Sequence, residues 1–191
     1  MAVIIDILGS SFIGGLLLLL LLKLNLFATS SSITSDNELK LQQNAKTLAE
    51  IINYDFRKIG YECDSTAIAI ADSNRIKFYA EIDSSNIIMD VVEYYTGDTT
   101  QAAGTENPRD IILYRKFNGV AMGGPTLGLT KIKFSYLDEF NVATNVLTNI
   151  RYVKVELWVE STIPEMESNF VDPNHPYLFT YWEMKINPRN I

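Results

Sequence analysis

Residues Ala2 to Leu22 are apolar or small at every position but one, and that run constrains the chain more than anything after it. About 20 such residues, rising 1.5 Å each in a helix, span the roughly 30 Å hydrocarbon core of a bilayer. The exception is Asp6. A carboxylate at the centre of a membrane helix costs on the order of 2.5–3.5 kcal/mol, and less near an end. An acid kept there therefore either marks the interface or waits for a cation that will meet it in lipid. A cleaved secretory signal would carry basic residues ahead of a short apolar core and a small-x-small site behind it. Here no Lys or Arg precedes Lys23, and the run has full span length, so residues 1–28 read as a retained transmembrane helix. Its flanks hold too few basic residues for the positive-inside rule to orient it.

The remaining length of this 191-residue chain suits one domain of ordinary size. Lys and Arg total 16 against 23 Asp and Glu, a formal net charge of -7 that repels phosphate backbones, so nucleic acid is not an expected partner. A lone cysteine, Cys63, makes no internal disulfide, and with a lone histidine, His175, it makes no Cys/His metal cage.

After the anchor, the polar stretch ATSSSITS (Ala28 to Ser35) reads as a loosening of the helix, and Ser35-Asp36-Asn37-Glu38 reads as a capping box that starts a second one. Residues 29–60 are thus a linker and an amphipathic helix. Leu41, Ala45, Leu48, Ile52, Phe56 and Ile59 recur at steps of four and three, the stripe of a helix seated on a sheet, with Gly60 placed to end it.

Beyond Gly60 the period becomes alternating. Segments near 66–71, 75–82, 86–95, 110–117, 129–137, 150–160 and 177–186 are rich in β-branched and aromatic residues and are separated by Asp, Asn, Ser, Gly or Pro. Ile76, Phe78, Ala80 and Ile82 oppose Arg75, Lys77, Tyr79 and Glu81, and Val153, Val155, Leu157 and Val159 oppose Lys154, Glu156, Trp158 and Glu160. With no βαβ alternation, the expectation is an α+β fold in which residues 61–191 form a mostly antiparallel sheet with the helix on one face. Three long loops interrupt it: Thr96 to Asp110, Asn118 to Gly128 and Ser161 to Pro176. The first and third carry carboxylates of a kind that binds Ca²⁺, without EF-hand spacing, and beyond that cation no cofactor is expected.

No catalytic constellation emerges. His175 sits in a Pro-rich loop, no G-x-S-x-G elbow occurs, and GVAMGGPTLG lacks the Lys-Ser/Thr ending of a phosphate loop. A non-enzymatic domain without a small-molecule substrate is the expectation.

An apolar N-terminal helix leading into an amphipathic helix and then an antiparallel sheet resembles the plan of type IV pilins and pseudopilins. AVIID followed by ILGSSFIGGLLLLLLLKLNLFATSSS is similar to the start of a mature minor pilin, with four mostly apolar residues before an acid and a long membrane helix. LAEIINYDFRKIGYEC resembles the helix end of PilW-type minor pilins and of the J-class minor pseudopilins of type II secretion. LTKIKFSYLDEF, IRYVKVELWVES and the terminal MKINPRNI resemble later strands of the same group.

That resemblance implies a structural role: a single-pass inner-membrane subunit whose domain faces the periplasm or exterior and which assembles with other pilin-like subunits. It implies that Asp6 pairs with the N-terminal amine of a neighbour, borne on Ala2 if Met1 is removed. Small Gly9, Ser10, Ser11, Gly14 and Gly15 would then permit close helix approach in the membrane. It also implies a basic leader cut before the mature helix. In this sequence Met1 alone precedes Ala2, so the alternatives are a leader ahead of this start or insertion without that processing. The rival reading from another class is a single-span envelope protein whose exported β-domain binds a ligand or Ca²⁺.

Overall fold

A computed structural model describes residues 2–63, 66–82, 89–164 and 176–191. Helix α1 covers Ala2–Phe56, and the chain divides into two compact units, Met1–Lys40 and Leu41–Ile191. The first is helix throughout its described residues.

The break expected within Ala28 to Ser35 does not occur, and Ser35 caps nothing. The stretch holds neither Gly nor Pro, and Thr29 Oγ1 donates to the Asn25 carbonyl at 2.9 Å, so its polar group is satisfied inside the helix rather than drawing the backbone out of it. At its other end α1 stops at Phe56 and tightens into i→i+3 bonds, with Lys58 N donating to Asp55 O at 3.0 Å and Tyr61 N to Lys58 O at 2.8 Å. Gly60, expected as the terminating residue, falls four positions later. It adopts φ +77°, and a Cβ there would stand 2.6 Å from the Asn190 carbonyl oxygen, so its bareness serves the packing of the chain's last residues.

The second unit holds two sheets where one was expected. Strands β1 (Ile68–Ala71), β2 (Arg75–Ala80), β3 (Asp90–Thr96), β4 (Leu113–Phe117) and β5 (Val120–Gly123) form the first in sequence order. Strands β6 (Leu129–Leu137), β7 (Tyr152–Glu160) and β8 (Phe179–Ile186) form the second. Every pairing between these strands is antiparallel. Strand β5 arises inside the glycine-rich stretch read as a loop. Asn118 (φ 47°) and Gly119 (φ 91°) are the two central residues of a tight hairpin that pairs Phe117 with Val120, and both need positive φ, which Asn-Gly supplies cheaply. The residues 86–88 assigned to a strand lie outside the described residues, as do His175 and most of the third loop.

Strand alternation sorts the side chains. Ile76, Phe78 and Ala80 of β2 and Val153, Val155, Leu157 and Val159 of β7 are all fully buried, and they join α1 residues from Leu41 onward in one core. Phe56 marks the meeting point. Its ring lies 5.7 Å from Phe78 and 5.5 Å from Tyr94 in the first sheet, both edge-on, and 5.8 Å from Phe134 in the second. The sheets are also tied by backbone, since Phe134 N donates to Ser73 O at 2.7 Å and Ile111 N to Leu129 O at 2.8 Å.

Candidate functional site

From Val3 to Ile33 every residue of the first unit is exposed. Val3, Ile4, Ile5, Ile7, Leu8, Phe12 and every leucine from Leu16 to Leu22 are exposed, as is Phe27 at 74%. Apolar side chains surround this helix, the pattern of a segment that meets lipid or other apolar helices on all sides. It is long and apolar enough to cross a membrane.

Helical geometry decides which of the small residues accompany Asp6. At roughly 100° per residue, Asp6, Gly9, Ser10 and Gly14 fall within an arc of about 140°, whereas Ser11 and Gly15 turn to other sides. Asp6 is exposed and makes no ion pair among the described residues. Ser10 Oγ donates to the Ile7 carbonyl at 3.0 Å, which satisfies its hydroxyl within the helix. A Cβ added at Gly9, Gly14 or Gly15 would meet nothing within 4 Å, so this chain's own packing does not require glycine at any of them. Ala2 is the first described residue and heads the helix.

Further along α1 the environment inverts. Leu41, Ala45, Leu48, Ile52 and Phe56 are buried, with Ala49 between them and Ile59 just past the helix end. Asp55 is buried beside them and holds a cluster that the sequence did not disclose. The Tyr94 hydroxyl donates to Asp55 Oδ2 at 2.6 Å, and the Arg115 guanidinium reaches Oδ2 at 2.5 Å and Oδ1 at 3.4 Å. Burial pushes the Tyr94 phenol well above its usual range, and the Asp55 charge adds to that. Burial alone would lower the Arg115 guanidinium, but the bond and charge of Asp55 outweigh it and raise it. A phenol and a guanidinium held so firmly in their protonated forms suit a structural clamp between α1, β3 and β4.

A second buried polar group anchors the first long loop to the end of β7. Asn107 Nδ2 donates to Glu160 Oε2 and to the Ser161 carbonyl, both at 3.1 Å, and Arg109 pairs with Glu160 at 2.9 Å. Asp110 is buried there too, and its Oδ1 finds no hydrogen-bond partner among the described residues. Desolvation raises its carboxyl, a bond from Thr105 pulls the other way, and the nearby Glu160 charge raises it again. In the same loop Asp98 caps a 3₁₀ turn at Thr99–Ala102, accepting from Thr100 N at 2.9 Å and Gln101 N at 3.2 Å. Among the described residues no three Asp, Glu, His or Cys side chains gather to ligate a metal ion.

No protein-family model matches the chain, and no curated protein matches it by sequence. A solved structure does. The type IV-like pilin TTHA1219 from Thermus thermophilus superposes with a TM-score of 0.50 over 78% of this chain and 97% of that one, at 10% sequence identity. In fold, therefore, this is an α+β chain of the type IV pilin kind, its one long N-terminal helix packed from Leu41 onward on antiparallel sheets.

Proposed function

We propose that this chain is a membrane-anchored pilin-like subunit that works by assembling with others of its kind, as a minor pilin or pseudopilin at the initiation or tip of a type IV pilus or a type II secretion pseudopilus. The observation that carries the reading is the bare first half of α1, joined to a domain with a pilin-like fold. The seventeen large apolar side chains exposed between Val3 and Phe27 would be untenable in water, so they reside first in the inner membrane and later among the helices of neighbouring subunits. The domain then lies in the periplasm or beyond it.

Asp6 gives that assembly its register. In lipid a carboxylate gains most from an intermolecular cation, and the terminal amine of a neighbouring subunit, on Ala2 if Met1 is removed, is a cation on the same element. Gly9, Ser10 and Gly14 beside it let a second backbone approach closely, which suits residues whose smallness their own chain does not demand. The role is structural, and no side chain is assigned to chemistry.

Asp6→Ala tests this. Membrane insertion and the folded domain should survive, because removing a charge from a span eases insertion. Recovery of the chain with its partner subunits after cross-linking in membranes should fall steeply, since breaking a buried pair from one side costs about 3–5 kcal/mol. Asp6→Glu should retain much of the recovery, and Asp6→Asn should resemble alanine. Undiminished recovery with Asp6→Ala, at equal total chain, would remove the assembly role of this residue.

A further inference from the structure

The outer face of the five-stranded sheet carries a concavity that assembly through α1 leaves unused. Antiparallel register sets Lys77 of β2, Glu93 of β3 and Lys116 of β4 side by side in one cross-strand row, two ammonium groups flanking one carboxylate. Coulomb attraction would have Glu93 serve both lysines. Instead Glu93 is buried and committed to Arg75, whose Nε and Nη2 reach its Oε1 at 2.6 and 2.5 Å. The other lysines of the strands are occupied: Lys133 and Lys154 pair with carboxylates, and Lys131 and Lys185 lie over the rings of Trp158 and Tyr152. Lys77 and Lys116, both half-buried, have neither a counter-ion nor a ring among the described residues.

The space between them is built. It measures about 570 Å³, and Asn118 at its end is fixed by accepting from Val91 N at 2.8 Å and donating to Asp90 Oδ1 at 2.6 Å. Asp90 is a second carboxylate of the lining, but it is buried and its Oδ2 accepts from Ile82 N at 2.9 Å, so both its oxygens are bonded. A neighbouring concavity of about 480 Å³ shares Glu93 and Lys116 and adds Arg75 and Tyr95. The first concavity is thus lined by Lys77 and Lys116 against two carboxylates, Asp90 and Glu93, that are already bonded, within a chain of net charge -7.

We propose that this concavity binds a small polycarboxylate, whose anionic ends are taken by Lys77 and Lys116. The strands carrying the two lysines lie about 10 Å apart, two strand spacings, so the site favours a molecule with charges at separate ends over a single compact anion. The guanidinium that would grip a phosphate with a fork of bonds is held by Glu93, which leaves two point charges as the recognition elements. Binding here is independent of the assembly proposed for α1.

The experiment is calorimetric titration of the full chain, in non-ionic detergent at low salt, with citrate and separately with inorganic phosphate. Citrate should bind saturably at one site, and phosphate more weakly. Lys77→Gln and Lys116→Gln should each weaken citrate by up to about fivefold, the effect of losing one partly exposed ion pair, while Lys77→Arg should hold binding near wild type. Lys131→Gln, on the other sheet, should leave it unchanged. The proposal is overturned if citrate shows no saturable heat, if Lys131→Gln weakens it as much as Lys77→Gln, or if phosphate binds as tightly as citrate.

Discussion

The two ends of α1 carry much the same apolar side chains into opposite surroundings. Leu18 is 61% exposed, whereas Leu41 and Leu48 are 4% exposed and Ile52 is fully buried. The difference lies in what stands on the rest of each turn. From Ala2 to Leu22 the helix is apolar on every side, so no orientation against a single sheet could cover it, and only a surrounding apolar medium can. From Leu41 to Phe56 one stripe is apolar and the opposite side carries Gln42, Lys46 and Glu50, with Lys46 and Glu50 an exposed i,i+4 pair at 3.7 Å. A stripe asks for one partner, and the core of this chain supplies it. Pattern around the helix, more than hydrophobic content, decides whether a segment of α1 is finished by its own domain or left for something else to cover.

The sharpest way to break that contrast is to put the same charge into both segments of the full chain in detergent micelles and follow melting by circular dichroism. Ile52→Asp places an unpaired carboxylate in a site without water and should cost about 4 kcal/mol or more, a fall of roughly 8–16 °C for a domain of this size. Leu18→Asp should leave melting where it was and show itself only in a reduced membrane-bound fraction in cells, since a central acid costs about 2.5–3.5 kcal/mol of insertion. Gln42→Asp and Lys46→Glu, on the polar side of α1, should change melting little. Equal melting of the Ile52 and Leu18 variants would mean that the division of α1 is wrong.

Much of this was legible because helix and strand periods are local properties. The all-apolar run, the later stripe and the alternating segments require only neighbours in sequence, and together they yield the α+β arrangement. What failed was either local information left unread or information that is not local. The hairpin that makes β5 is signalled by Asn118-Gly119, but the surrounding glycines gave the stretch the composition of a loop. The separation into two sheets was not legible, since alternation tells which face a residue takes and not which strand lies beside it. Asp55 could not be singled out either. Its partners Tyr94 and Arg115 stand 39 and 60 residues away, and nothing in the helix distinguishes it from the carboxylates that remain in water. At the other end, Gly9, Ser10, Ser11, Gly14 and Gly15 stand out together in the sequence as small residues, and the turn angle of a helix alone places Gly9, Ser10 and Gly14 beside Asp6.

Asp55 and Asp6 sharpen the contrast at a smaller scale, one carboxylate bonded within the chain and the other bonded to nothing among the described residues. Removing the first should be felt in stability. Asp55→Ala strands the Tyr94 hydroxyl and the Arg115 guanidinium and should cost about 3 kcal/mol, the low end for breaking a buried pair, because Arg115 is 26% exposed and can turn toward water. Tyr94→Phe removes one bond to a charged acceptor and should cost about 1.5 kcal/mol. Combined, the two should cost less than their sum, because the phenol has already lost its acceptor in the first variant. Full additivity in denaturant melts would show that the three side chains do not act as one cluster, and a loss of stability in Asp6→Ala would erase the distinction between the two carboxylates.

The smallest effect comes from a carboxylate that opposes the packing around it. Asp110 is buried with one oxygen unpartnered among the described residues, and desolvation together with the Glu160 charge raises its carboxyl above the usual range. A raised acid is one whose protonated form the fold prefers. Its contribution is therefore complete below the unfolded value of about 3.8 and is lost as pH rises through the higher folded value, where the unfolded chain has already released the proton. At neutral pH the folded protein bears the cost of an ionised, poorly solvated group. Asp110→Asn keeps the shape, removes that charge and leaves the Asn107, Glu160 and Arg109 contacts in place, so it should melt a few degrees above wild type near pH 7. The advantage should shrink as pH falls and vanish below about pH 3, where wild-type Asp110 is protonated in both states. A pH-independent gain would assign the effect to the amide's own contacts, and a loss at pH 7 would show that the ionised carboxylate has a partner worth more than its desolvation. Either result would place Asp110 among the side chains that the packed unit, unlike the bare half of α1, satisfies from within.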